Sequence, residues 1–218
     1  MSNVKIAPSI LSADFAKMGE EVASLQRCGA DLIHVDVMDG VFVPNITFGI
    51  KMVEDIRKHT ALPLDVHLMI VEPWKYVGRF AKAGADYITV HAEACGEKTR
   101  ETLELIRSFG VKSGVVINPD TPAERAERVI EFCDMLLVMG VYPGFGGQKY
   151  IEEVGVKIQR LAEAIKAQKN AVLLEVDGGV TEENAAKIHA LGADVLVAGS
   201  AVFKAEDRAR AIKNLKGI

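Results

Sequence analysis

Short, β-branched apolar runs alternate with longer segments of helical periodicity along the whole chain. The runs Val4–Pro8, Leu32–Asp36, Leu64–Met69, Tyr87–His91, Lys112–Ile117, Met135–Val138, Leu173–Asp177 and Val195–Ala198 predict eight strands. Between them, Asp14–Gln26, Trp74–Ala83, Thr99–Phe109, Ala123–Phe132, Glu152–Ala167 and Glu182–Leu191 predict helices. Strands separated by helices imply parallel pairing through right-handed crossovers. Pro and Gly sit at element ends and no low-complexity stretch intervenes, so residues 1–218 are expected to form a single catalytic domain.

A weak internal repeat sharpens this pattern. Gly29-Ala30-Asp31, Gly84-Ala85-Asp86 and Gly192-Ala193-Asp194 each lead into an apolar run, and Cys133-Asp134 begins a degraded copy. Each complete copy reads as a helix end, a glycine able to take a positive φ, and then a buried strand. The aspartates lie 55, 48 and 60 residues apart, about two βα units each, which places them before strands two, four, six and eight. Eight units in 218 residues predict a compact (β/α)8 TIM barrel. An open doubly wound sheet is the alternative, but no dinucleotide-binding glycine fingerprint opens the chain.

In such a barrel the chemistry lies at the C-terminal strand ends. Strand two ends His34-Val35-Asp36, strand three Asp65-Val66-His67-Leu68-Met69, and strand seven Glu175-Val176-Asp177. Residues i and i+2 share a strand face, so His34 and Asp36 point one way while Val35 and Val37 meet the helices. Two imidazoles and two carboxylates then converge on one mouth, where burying them unpaired would be costly. A divalent metal satisfies such a set. Two nitrogens with two oxygens suit Zn²⁺, Fe²⁺, Mn²⁺ or Co²⁺ better than Mg²⁺ or Ca²⁺. Later strand ends are glycine-rich: Pro143-Gly144-Phe145-Gly146-Gly147-Gln148, Gly178-Gly179-Val180-Thr181 and Gly199-Ser200-Ala201. Glycines let backbone amides approach an anion, and the loops after strands seven and eight form the usual phosphate site of this fold. Metal on the early strands and phosphate on the late ones suggest a small phosphorylated substrate held across the mouth. Asp36 and Asp177, on distant strands, could deprotonate one face of a carbon and reprotonate the other, the logic of an epimerase.

Composition narrows the partners. Lys plus Arg number 26 and Asp plus Glu 30, a net charge of −4 without a basic block, so no nucleic-acid partner is expected. No apolar run is long enough to span a bilayer, and no membrane partner is expected. Cys28, Cys95 and Cys133 match no metal spacing and read as reduced thiols. Together with an N-terminus that lacks the plan of a signal peptide, they suggest a cytoplasmic protein.

The segments Ala7 through Asp14, His34 through Asn45, Leu64 through Met69, Pro143 through Gln148, Glu175 through Val180 and Val197 through Ala201 closely resemble the ribulose-phosphate 3-epimerase family, in family order from end to end. The resemblance implies a TIM barrel of the ribulose-phosphate-binding type and an isomerase of the pentose phosphate pathway. That enzyme interconverts D-ribulose 5-phosphate and D-xylulose 5-phosphate through an enediolate, with one divalent metal ion per subunit. It implies His34, Asp36, His67 and Asp177 as metal ligands, and Asp36 and Asp177 as the acid/base pair. Substrate contacts are implied at Ser9, His67, Gly144, Phe145, Gly146, Gly147, Asp177, Gly178, Gly179, Gly199 and Ser200. Met38, Met69 and Met139 would line the site, although by residue type alone three methionines could as well fill the core, and the protein would be a homo-oligomer. Gly140 and Tyr142 depart from the Thr or Ser and the polar residue usual in the family. A 3-epimerase of a ketohexose 6-phosphate such as D-allulose 6-phosphate is the nearest alternative. A metal-free phosphate-binding barrel, as in tryptophan biosynthesis, would not need the His-x-Asp on strand two with a His on strand three. A binding protein without catalysis would be expected to lose the two aspartates. His91 and Glu93, on one face at the end of strand four, could act as partners behind the site's ligands, but a structural role is the preferred reading. His59 and His189 are read as surface residues, and Trp74 as an anchor at a helix start.

Overall fold

The computed structural model describes residues 4–217. Its strands are β1 (Lys5–Pro8), β2 (Ile33–Met38), β3 (Leu64–Met69), β4 (Tyr87–His91), β5 (Lys112–Ile117), β6 (Met135–Met139), β7 (Leu173–Asp177) and β8 (Val195–Ala198). Its helices are α1 (Met18–Arg27), α2 (Ile50–Arg57), α3 (Val77–Ala83), α4 (Ala92–Cys95), α5 (Thr99–Ser108), α6 (Glu124–Glu127), α7 (Val154–Lys166), α8 (Glu182–Ala190), α9 (Ser200–Phe203) and α10 (Arg208–Leu215). The strands pair in parallel in the order β1-β8-β7-β6-β5-β4-β3-β2. A parallel bridge between Ser9 and His34 closes the seam between β1 and β2, so the sheet is a (β/α)8 barrel.

The repeat has a mechanical role at the N-terminal rim. Each aspartate folds its carboxylate back onto the preceding odd strand and accepts a backbone N–H there. Asp31 takes Ile6, Asp86 takes Leu64, Asp134 takes Ser113 and Asp194 takes Leu174, all at 2.8–2.9 Å. Gly29, Gly84 and Gly192 hold φ of 85°, 106° and 114°, the left-handed turn that carries each helix end into its strand. The degraded copy has Phe132 where the others have glycine, and there the chain leaves a 3-10 turn, Ile130–Phe132, in extended conformation.

The segments expected as helices from Asp14 and Trp74 begin instead with 3-10 turns, Phe15–Lys17 and Pro73–Lys75, before α1 and α3. Asp14 accepts from the Ala16 N–H and so caps the first of these turns, and Pro73 starts the second. The helix expected over Ala123–Phe132 is only α6 and a separate 3-10 turn, the break falling at the β-branched pair Val129-Ile130. Residue His59 lies in the turn after α2 and is exposed. His189 is half-buried at the end of α8, its Nδ1 2.7 Å from the Ala193 carbonyl oxygen, which makes it a helix-end bond rather than a free surface residue.

Apolar packing is divided by the barrel wall. Outward-facing strand residues such as Val35, Val37, Val66, Leu68, Ile88 and Val90 pack under the helices. Inside, Leu32, Tyr87, Met135 and Val195 plug the N-terminal end, and Ala7 and Val197 carry the same cluster up toward the mouth. Above that plug the lumen turns polar: His34, Asp65, His67, Thr89, His91 and Glu175 are all fully buried. An ordinary barrel interior is filled with branched aliphatic side chains, so this polar band is what positions the site.

Candidate active site

His34 and Asp36 occupy alternate positions of β2, with Val35 and Val37 turned outward, and the parallel register sets Asp36 beside His67 of β3. Asp177 arrives from the end of β7. His34 Nε2 lies 3.3 Å from Asp36 Oδ1 and 3.8 Å from Asp177 Oδ2, and His67 Nδ1 lies 3.2 and 3.8 Å from the same two atoms. Donor atoms of these four residues all fall within 4.8 Å of one another. The sequence reading brought the same four to one point.

The donor set fits a divalent cation. His34 Nε2 is buried and has no hydrogen-bond partner despite its closeness to Asp36. Its Nδ1 is already engaged by Asp65 Oδ2 at 2.5 Å. Burial opposes a charge on His34, but Asp36 and Asp65 outweigh it and hold its pKa well above the ordinary value. Burial alone would raise Asp36, yet His34 and His67 hold it below the usual carboxylate range. Burial and the nearby Asp36 push Asp177 up to about 7, while burial lowers His67. Asp177 thus bears repulsion that a cation would relieve. Beneath them Glu175 is pushed well above its ordinary value by burial and by Asp65, and neither of its oxygens has a partner.

Over this floor opens a cavity of about 170 Å³. Ser9, Asp36, Met38, Met69, Met139, Gly144, Phe145, Gly146, Gly147, Asp177, Gly178, Gly179, Gly199 and Ser200 line it, while His34 and His67 lie buried below. Ser9 donates to Asp36 Oδ2 at 2.6 Å, tying the end of β1 to the acidic floor. Glycine is required in the wall at Gly179 and makes room for a side chain at Gly199. Gly179 has a φ of 69°, and a Cβ there would stand 2.3 Å from the Tyr150 nitrogen. At Gly199 a Cβ would stand 2.6 Å from Ser12 Oγ. Gly140 has a similar explanation: a Cβ there would meet the Gly178 carbonyl oxygen at 2.6 Å and the Tyr150 ring at 2.9 Å. Tyr142 is half-exposed, and its carbonyl accepts from Gln148.

Other contributors were given no role of their own by the sequence. Thr47 donates to the Asp36 carbonyl and accepts from the Met38 N–H, which fixes the end of β2. Asn45 donates to the Gly144 carbonyl at 3.0 Å, joining the β2 loop to the glycine loop. Ser12, Val141 and Thr181 also line the cavity. His91 is not an isolated structural histidine: its Nε2 lies 2.9 Å from Nε2 of His67.

Architecture places the chain among the TIM barrels, here with a His2Asp2 floor under glycine-rich turns. Solved structures agree on the fold. Tryptophan synthase alpha-subunit from Pyrococcus furiosus aligns with 99% of this chain and 98% of its own at a TM-score of 0.72 and 17% identity. KGPDC from Streptococcus mutans aligns with 99% of this chain and 97% of its own at 0.73 and 13%. Residues 5–203 match the Ribulose-phosphate 3 epimerase family. Ribulose-phosphate 3-epimerase of Bacillus subtilis is 54% identical over 215 residues, covering 98% of this chain and 99% of that protein. The chloroplastic ribulose-5-phosphate-3-epimerase of Arabidopsis thaliana is 51% identical, covering 99% and 77%. That of Synechocystis is 51% identical, covering 98% and 94%. The chain belongs to the ribulose-phosphate 3-epimerase family.

Proposed function

We propose that this barrel, acting as one domain over residues 1–218, is an isomerase that interconverts D-ribulose 5-phosphate and D-xylulose 5-phosphate. The observation that carries the reading is the meeting of Asp36 and Asp177, from β2 and β7, at the floor of one cavity beneath the glycine turns. Ser200, Gly199, Gly178, Gly179 and the Gly144–Gly147 turn are the phosphate grip. Ser9 is a further substrate contact and Met38, Met69, Met139 and Phe145 bound the sugar, whereas His67 lies buried below the cavity and supports the site from beneath instead of touching substrate. His34, Asp36, His67 and Asp177 would hold one divalent ion of the Zn²⁺, Fe²⁺, Mn²⁺ or Co²⁺ type, which when bound would supply positive charge that acidifies the C3–H bond of the ketose.

Asp36 and Asp177 then do the proton work. One takes the C3 proton from one face of the substrate, leaving an enediolate; the other returns a proton to the opposite face. In the reverse direction the roles exchange. Ser9 holds Asp36 through its 2.6 Å bond, and Thr47 fixes the backbone beneath it. The buried methionines at the mouth exclude water from the carbanionic carbon, where it would compete for the proton.

A direct comparison tests this reading. Purified protein loaded with Co²⁺ or Fe²⁺ is given D-ribulose 5-phosphate or D-allulose 6-phosphate, and kcat/KM is measured for each. Clear preference for the pentulose is expected; preference for the hexulose would replace the substrate, and no turnover of either would remove the reading. The expected homo-oligomer has an available surface in exposed Ile46, Val71 and Tyr76 beside the mouth. Sedimentation at assay concentration should show more than one subunit, and a monomer would contradict this. No helix among the described residues is long and apolar enough to cross a membrane.

A further inference from the structure

Behind His67 runs a chain of buried polar groups that the proton chemistry does not use. His67 Nε2 lies 2.9 Å from His91 Nε2, and His91 Nδ1 lies 3.2 Å from Glu93 Oε2. The other carboxylate oxygen, Oε1, accepts the Asn118 N–H at 2.9 Å and the Thr121 hydroxyl. Both imidazoles are fully buried, and the Phe42 ring packs against His91 at 4.7 Å between centroids. Glu93 therefore ties the end of β4 to the loop after β5.

Donor and acceptor roles in this chain are not free. With two donors on Oε1, the Glu93 carboxylate presents an acceptor at Oε2, so His91 must carry its hydrogen on Nδ1. His91 Nε2 is then a lone pair, and His67 must carry its hydrogen on Nε2. That leaves the His67 Nδ1 lone pair facing Asp36 Oδ1 at 3.2 Å, acceptor against acceptor. On the opposite side Asp65 takes the Nδ1 hydrogen of His34 and turns its Nε2 lone pair to the same Asp36 oxygen. Two lone pairs and two carboxylates aimed at one point require a cation between them.

We propose that Glu93 and His91 are positioning residues, a two-member relay that sets the tautomer of His67 so that its Nδ1 is free to bind the metal, as Asp65 does directly for His34. The inference rests on the reading of His67 as a metal ligand. Outer partners of ligating histidines typically change metal affinity by about 10- to 100-fold when lost, and here the sign of one substitution is unusual. In Glu93→Gln the two donors at Oε1 still require an acceptor, so the amide oxygen stays there and the NH2 group faces His91. His91 must then accept at Nδ1 and carry its hydrogen on Nε2, against His67. His67 is driven to the tautomer with hydrogen on Nδ1, where the ion should be. Glu93→Ala leaves His91 free to keep the native tautomer.

The test is competition between the holoprotein and a chelator for Co²⁺. Glu93→Gln should weaken Co²⁺ binding about 10- to 100-fold, and more than Glu93→Ala does, although the amide is the closer match in shape. A merely structural role predicts the reverse order, since truncation removes both loop bonds. Wild-type affinity in Glu93→Gln, or weaker binding in Glu93→Ala than in Glu93→Gln, would overturn the relay. Should either variant fail to fold, long-range ¹H–¹⁵N spectra of the Zn²⁺-loaded wild-type protein decide. Hydrogen on Nε2 of His67 and on Nδ1 of His91 is expected, and hydrogen on Nε2 of His91 would overturn it. Wild-type protein that binds no Co²⁺ at all would instead sink the metal site itself, and the relay with it.

Discussion

Gly146 is the position in the glycine loop where a side chain tests ligand binding rather than folding. Its neighbours Gly144 and Gly147 hold φ of 123° and 75°, which any other residue would strain. A Cβ at Gly146 finds only ordinary contacts, Leu11 at 3.8 Å and Ser12 at 3.9 Å. Gly146→Asp should therefore fold and place a carboxylate where a phosphate dianion binds, raising KM at least tenfold with Gly146→Ala close to wild type. A wild-type KM in Gly146→Asp would make the loop a turn and nothing more. The same substitution at Gly179 would be uninformative, because its Cβ collides with the Tyr150 backbone. Cysteines give an independent reading of burial. Burial pushes Cys95 and Cys133 up to about 12, and both are buried, whereas Cys28 is half-buried. Thiolate is the reactive form, so a disulfide reagent at pH 8 should label Cys28 alone in native protein and all three thiols after denaturation. Rapid labelling of Cys133 in the native state would contradict the packing behind β6.

At the scale of the element, the repeat aspartates act as clamps that set each even strand against its odd neighbour. Asp194 illustrates this at the end opposite the catalytic mouth. Its Oδ2 accepts the Leu174 N–H, while its own amide donates to the Leu174 carbonyl. Asp194→Ala strands a strand-end amide and should cost about 1–3 kcal/mol in denaturant unfolding, with kcat/KM unchanged for protein that is folded. Loss of activity without loss of stability would place Asp194 in the site rather than in the scaffold. These elements were legible because their signals are local. Alternation at His34-Val35-Asp36 and Asp65-Val66-His67 fixes which side chains enter the lumen, and Gly-Ala-Asp marks three of the helix-to-strand turns. The segment over residues 123–132 misled because its apolar spacing suits a helix, while the turn Ile130–Phe132 packs against α5, a contact that no local pattern carries. His91 and Glu93 were undervalued for a related reason. Nothing local in β4 tells that His67 of the neighbouring strand stands 2.9 Å away, or that Asn118 and Thr121 arrive from β5 to fix the carboxylate.

For the whole molecule, the barrel brings together groups distant in sequence and leaves their repulsion to a cation. Removing the ion should therefore act on both stability and activity. Chelation should abolish epimerisation and lower the thermal midpoint, since a ligand bound only to the native state stabilises it by mass action. Zn²⁺, Mn²⁺, Co²⁺ or Fe²⁺ should restore both. Full activity in protein shown to be metal-free would remove the ion from the account.

The central claim is that two carboxylates serve opposite faces of one carbon, and isotope exchange in D₂O with Asp177→Asn reads it most directly. Asparagine keeps the shape of Asp177 and removes its proton transfer. Loss of such a group costs about 10²- to 10⁴-fold, so net interconversion should fall by at least that much. Asp36 remains able to exchange the C3 proton on its own face. The account predicts that the epimer whose C3–H faces Asp36 acquires deuterium at C3 while the other epimer does not form. An Asp177→Asn protein that keeps its metal and still epimerises at near wild-type rate would contradict it.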